Sequence, residues 1–146
     1  MDEIFKDIVE NLYTIPPLFR KKLVKLDLYQ DGIDLAPSHF HILFTLEDFE
    51  TLAVTELAKI LMISKTNATP LIQKLIDKAF VERVSDDRDR RYIHLKLTDS
   101  GKEFLANHKR LVMLNLENKI VNFNDEELEK LALALKDLRN ALNKIE

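Results

Sequence analysis

No cysteine occurs among the 146 residues, and glycine is nearly as scarce, with two. The first absence excludes a disulfide framework, a thiol sensor and a thiolate metal site, and fits a reducing compartment. The second, together with only four prolines, leaves few positions for turns, so helix is expected to dominate. No run of about 18 apolar residues is present to cross a membrane. The acidic start Met1-Asp2-Glu3-Ile4 is the opposite of a secretion signal's basic region, and the expected compartment is cytoplasmic. A glycine-rich phosphate loop, a His-Glu-x-x-His pair, a nucleophile elbow and a carboxylate pair are all missing. The chain is therefore read as no enzyme, with no catalytic residue and no cofactor.

What is present is an ordinary globular composition, 46% hydrophobic and 32% charged, in one domain-sized length that can bury a core. The net charge of -3 is unevenly spread. Residues 59 to 96 hold nine Lys/Arg against five Asp/Glu, a net +4, while the remainder carries -7. A basic island in an acidic chain is the footprint of a local phosphate contact.

Hydrophobic periodicity organises the chain around that island. Ile4, Phe5, Ile8, Val9 and Leu12, then Phe19, Leu23 and Leu26, follow helical spacing. Pro16-Pro17 between them predicts a kink or two separate pieces, and Asp31-Gly32 closes the region. A second helix opens at Pro37 and runs through Phe40, Leu43, Phe44 and Leu46. A short helix begins at Thr55-Glu56-Leu57-Ala58 and ends near Leu61. After the turn Met62-Ile63, Ser64 is placed to cap a helix whose apolar face is Ala68, Leu71, Ile72, Leu75 and Ile76. Pro70 inside it predicts a start nearer Asn67, or a bend in the first turn. Val81 to Val84 and Ile93 to Leu97 read as strands, the second with Ile93, Leu95 and Leu97 facing inward. Ser85 to Arg91 is then a hairpin tip carrying Arg88, Arg90 and Arg91. Thr98 caps a long helix, and Asn124 with Glu127 forms a capping box for the last one.

Two short helices on a tight turn can lay one of them in a DNA major groove, while a basic hairpin reaches phosphates and the adjacent minor groove. On that reading Ser64, Lys65, Thr66, Asn67, Thr69, Gln73 and Lys74 supply the major-groove donors and acceptors, with Gln73 expected to read a base edge. Arg88, Arg90 and Arg91 supply the wing, with Asp89 bracing Arg91 while Arg88 and Arg90 point outward. The last helix carries a second signal: Leu128, Leu131, Leu135, Leu138 and Leu142, spaced 3, 4, 3, 4, form a seam read as dimerisation surface. The four histidines do not form a metal site, since His39 and His41 face different ways and His94 stands alone on its strand.

From Leu35 to Leu105 the chain resembles the MarR family of winged helix-turn-helix transcription regulators. Leu35-Ala36-Pro37-Ser38-His39-Phe40-His41-Ile42-Leu43 is similar to the family's second helix, and Val54-Thr55-Glu56-Leu57-Ala58 with Ile63-Ser64 to its first helix-turn-helix element and turn. Leu71 to Leu75 and Phe80-Val81-Glu82-Arg83 follow as recognition helix and first wing strand. Asp86-Asp87-Arg88-Asp89-Arg90-Arg91, then Leu95-Lys96-Leu97-Thr98 and Gly101, look like the wing and the return to helix. The chain departs from the pattern at Ala36, where a threonine cap is frequent, at Met62 and Ala79, where glycine is common, and at Pro70, where a basic or polar residue is usual.

The resemblance implies a mainly α fold with a small β-hairpin wing, divided into an N-terminal dimerisation region (1–34), a winged helix-turn-helix DNA-binding domain (35–100) and C-terminal dimerisation helices (101–146). It implies a homodimer on a pseudo-palindromic double-stranded DNA operator, a repressor by default, with release by a small-molecule effector left open. The resemblance also raises zinc sensing through His41 and His108, for which the neighbouring ligands are missing. A winged helix serving as a protein-interaction module is the alternative from another class.

Overall fold

The computed structural model describes residues 1–23, 32–89 and 91–145. Leu26, Asp31 and Arg90 lie outside the described residues. The elements run α1 (Asp2–Leu23), α2 (Pro37–Asp48), β1 (Leu52–Ala53), α3 (Val54–Ile60), α4 (Lys65–Asp77), β2 (Val81–Ser85), β3 (Ile93–Leu97), α5 (Asp99–Ile120) and α6 (Asp125–Leu142). They fall into two units: Val24–Leu111, and Met1–Leu23 with Val112–Glu146.

The first unit is a winged helix. Its sheet has three antiparallel strands in the order β1-β3-β2, where the sequence shows a hairpin of two. β1 is two residues long, too short for any period, and it forms by pairing Leu52 with Leu95 and Ala53 with His94. In the hairpin, Val81 lies opposite Leu97, Arg83 opposite Leu95 and Ser85 opposite Ile93. Leu95 and Leu97 are buried, but Ile93 is exposed, because its end of the strand runs past the core. Phe40, Ile42, Leu43, Leu57, Ile72, Leu75 and Leu105 fill the space between helices and sheet. Phe104 stacks on Phe80 with ring centroids 4.5 Å apart.

Local chemistry sets the helix ends. Ser64 Oγ accepts from the Asn67 N–H at 3.1 Å, so α4 starts at Lys65 and not nearer Asn67. Pro70 is therefore interior, and the Thr66 carbonyl loses its i+4 donor. That loss occurs on an exposed turn, where water can replace the donor. α2 begins at Pro37 as expected, and its Ala36 N–H donates to His39 Nδ1 at 2.9 Å. The histidine thus supplies the half of a capping box that reaches back to the N-cap N–H, while Ala36 has no side-chain acceptor for the other half. Thr98 Oγ1 accepts from the Gly101 N–H at 3.0 Å and itself donates to the Ala79 carbonyl.

Met62 (φ 56°) and Ala79 (φ 62°), the two positions where the sequence departs from glycine, both adopt the left-handed conformation. Each sits just beyond a helix. The Ile63 N–H reaches back to the Ala58 carbonyl, and the Phe80 N–H to that of Leu75, so both helices end in a Schellman turn. A Cβ in that conformation costs about 1–2 kcal/mol. The chain tolerates it twice to hold α3, α4 and β2 in their turns.

The second unit comprises α1, the end of α5 and α6. A single helix runs through Pro16 and Pro17, so the two-piece alternative does not occur. None of the residues of α1 or α6 is buried. Asn124 Oδ1 accepts from the Glu127 N–H while Glu127 Oε2 accepts from the Asn124 N–H, both at 2.9 Å, which is the capping box expected from the sequence.

Candidate nucleic-acid interface

The buried face of α4 (Ala68, Ile72, Leu75) fixes which side of that helix meets solvent. Ser64, Lys65, Thr66, Asn67 and Thr69 are all exposed around its N-terminal turns, as a groove-reading surface requires. Ser64 and Thr69 also have local partners: the serine caps, and the threonine hydroxyl donates to the Lys65 carbonyl at 2.8 Å. Lys65 carries a cation with no carboxylate within ion-pair distance among the described residues.

The two remaining nominated residues of α4 are engaged within the chain. Lys74 Nζ lies 2.6 Å from Asp34 Oδ2, and that ammonium holds the Asp34 carboxyl below the usual carboxylate range. Gln73 hydrogen-bonds at both ends of its amide, to Asp77 and to Arg83.

In the wing, backbone and side chains build a fixed tip. Asp86 donates its N–H to the Tyr92 carbonyl at 3.0 Å, and its Oδ1 accepts from the Arg88 N–H at 2.8 Å. Its Oδ2 lies 3.3 Å from His94 Nε2. The Arg88 N–H first, and the His94 bond second, hold the Asp86 carboxyl low. Asp89 accepts from both the backbone and the guanidinium of Arg91, the latter as a fork at 3.0 and 2.9 Å. Each partner stabilises the charged form of the other, lowering Asp89 and raising Arg91. The bracing expected of Asp89 is therefore present. Arg88 is exposed, and no carboxylate lies within ion-pair distance of its guanidinium among the described residues, although its charge helps to hold Asp86 low.

Among the described residues no three His, Cys, Asp or Glu side chains come together as a metal cluster. His39 and His108 are buried instead, His108 with its ring centroid 4.6 Å from that of Phe40. Burial pushes both imidazoles below their ordinary value. The folded chain therefore binds fewer protons there than the unfolded chain, and stability is full above about pH 6.5 and falls as pH drops through it. The urea midpoint should be lower at pH 5.5 than at pH 7.5, and His39→Gln, which keeps an acceptor for Ala36, should flatten that dependence. Equal midpoints would remove the histidines from the balance. Asp34, Asp86 and Asp89, held low, lose their contribution only in more acidic solution.

The sequence model of the MarR family matches residues 35–93, which include all ten residues nominated for DNA contact. The transcriptional repressor YetL of Bacillus subtilis is 32% identical over 124 residues, covering 81% of this chain and 72% of that protein. The chain belongs to the MarR family. Another relative, the transcriptional repressor MprA of Escherichia coli, is 43% identical over 68 residues, 45% of this chain; the match spans only 39% of MprA's length. Among solved MarR-family structures, a mutant MarR of Escherichia coli in complex with operator DNA superposes with a TM-score of 0.59 at 25% identity, covering 92% of this chain and 96% of that one.

Three interactions in this MarR-family fold go beyond what the sequence alone anticipates. The Asp34–Lys74 pair joins residues forty apart, and the Gln73–Arg83 bond crosses from a helix to a strand, so neither leaves a local pattern. The His39 cap does leave one: it stands at the third helical position, where capping-box acceptors occur.

Proposed function

We propose that this chain is a sequence-specific DNA-binding transcriptional regulator of the cytoplasm, a repressor as its named relatives are. It binds a pseudo-palindromic operator as a homodimer with half-sites about one helical turn apart. The observation that carries the reading is a capped helix with its N-terminal turns exposed, beside a braced wing whose exposed Arg88 guanidinium is held in no ion pair among the described residues. Ser64, Lys65, Thr66, Asn67 and Thr69 face the major groove in this proposal. Lys74, Arg88, Arg90 and Arg91 contribute positive potential toward the phosphates, the charges of Lys74 and Arg91 being shared with Asp34 and Asp89. Leu128, Leu131, Leu135, Leu138 and Leu142 hold the second copy. A small-molecule effector that releases the operator would show itself in a thermal-shift screen with aromatic acids and phenols.

The test is the salt dependence of duplex binding. Arg88→Ala should weaken binding to every duplex and reduce the slope of log K against log salt by about 0.9 for each phosphate it no longer neutralises. An unchanged slope would take Arg88 out of the DNA-binding surface. A wild-type protein that binds no duplex would favour the protein-interaction module.

A further inference from the structure

Lys65, Thr69, Gln73 and Asp77 stand four residues apart along α4 and form one stripe. Gln73 is the member whose amide would suit an adenine edge, which takes a donor and an acceptor side by side. In the fold both of those groups are already in use. Nε2 donates to Asp77 Oδ1 at 2.9 Å, and Oε1 accepts from Arg83 Nη2 at 3.0 Å. The orientation of the amide follows from its partners, because a guanidinium only donates and a carboxylate only accepts.

Arg83 has an unusual position for a cation. The period of β2 puts it on the same face as Val81, which is buried, and opposite Leu95 at the centre of the sheet. Its neighbour Glu82 lies on the other face, 3.7 Å from Lys96. Arg83 is exposed, and among the described residues no carboxylate lies within ion-pair distance of it. Lys74, Arg91 and Lys96 in the same unit each pair with an acid. Arg83 is held by a neutral amide instead, which directs the guanidinium without cancelling its charge. Structural arginines gain from a carboxylate fork, whereas a steered and uncancelled guanidinium suits an external anion with two acceptor oxygens.

We propose that Arg83 is a phosphate-binding residue at the junction of recognition helix and wing. Gln73 is then a positioning residue that acts through it, and not a base reader. The inference rests on the DNA-binding reading above. Asp77 anchors the far end of the relay, so the chain Asp77–Gln73–Arg83 ties a helix face to the first wing strand.

The experiment measures affinity across a salt series for two probes: a duplex selected by the wild-type protein from a randomised pool, and the unselected pool. Arg83→Ala should lower affinity for both alike and reduce the salt slope by about 0.9 for each phosphate left unneutralised, while Arg83→Lys should keep the slope. Gln73→Ala should weaken both probes alike, and should add nothing in the Arg83→Ala background, the signature of residues acting in series. Urea midpoints of each variant separate an altered DNA interface from a loss of fold. If Gln73→Ala abolishes preference for the selected duplex whether or not Arg83 is present, Gln73 reads a base and the proposal fails. An unchanged slope in folded Arg83→Ala also overturns it. A wild-type protein that distinguishes neither probe and shows no salt dependence overturns the DNA-binding reading itself, and is recognised before any variant is made.

Discussion

Gly101→Ala should destabilise the winged helix by about 3 kcal/mol, although alanine is the better helix former by about 1 kcal/mol. Gly101 is buried in the first turn of α5. A Cβ there would drive into the carbonyl oxygen of Phe80 and stand 3.0 Å from its carbonyl carbon. The obstacle is backbone, already fixed by the Thr98 N–H that donates to the same Phe80 oxygen at 3.1 Å, so no rotamer change relieves it. Urea unfolding should show a lower midpoint with an unchanged slope. Duplex binding should fall with it, since α4, β2 and α5 meet at this point. A midpoint equal to or above the wild type would mean that α5 shifts to admit the methyl group at little cost.

Replacing Leu135 and Leu138 together with glutamate should abolish operator binding. Leu135 is 52% exposed and Leu142 48% in the single chain, while Leu128, Leu131 and Leu138 are half-buried. α1 presents Ile4, Phe5, Ile8, Val9, Leu12 and Leu18 to solvent as well. Apolar area of this extent, in a unit whose two terminal helices have no buried residue, is surface that a second copy would remove from water. Carboxylates on the covered seam would be buried without partners, at a cost of several kcal/mol. Sedimentation should show dissociation, or unfolding should have a concentration-dependent midpoint. Unfolding independent of concentration would place these leucines in the intrachain core, and unchanged dimerisation would show that the seam stays exposed.

Features written in neighbouring residues are legible before any coordinates. The Ser64 cap, the Asn124–Glu127 box, the Asp89–Arg91 brace and the opening of α2 at Pro37 are interactions within four residues, and the structure holds each of them. Strand β1 is not legible, because two residues become a strand only when β3 arrives beside them. The period places Ile93 inward and the structure leaves it exposed, because alternation tells which face a residue occupies but not where the core ends. The candidate site divides in the same way. Exposure of Lys65 to Asn67 follows from helical spacing, but Arg83 reaches Gln73 from ten residues away and Asp34 reaches Lys74 from forty. Those distant partners, with the nearby Asp77 on the Gln73 amide, change what each side chain has left to offer a ligand.

The division of the chain also sets an order of events during synthesis. The winged helix is one uninterrupted stretch, Val24–Leu111, whereas the other unit joins Met1–Leu23 to Val112–Glu146. A ribosome therefore releases α1, with its exposed isoleucines and phenylalanines, well before α6 exists. At about 5–20 residues per second that interval lasts seconds, and the whole of the winged helix is synthesised within it. The nascent chain thus passes through a stage in which the winged helix is complete while the exposed apolar side chains of α1 still lack the rest of their unit.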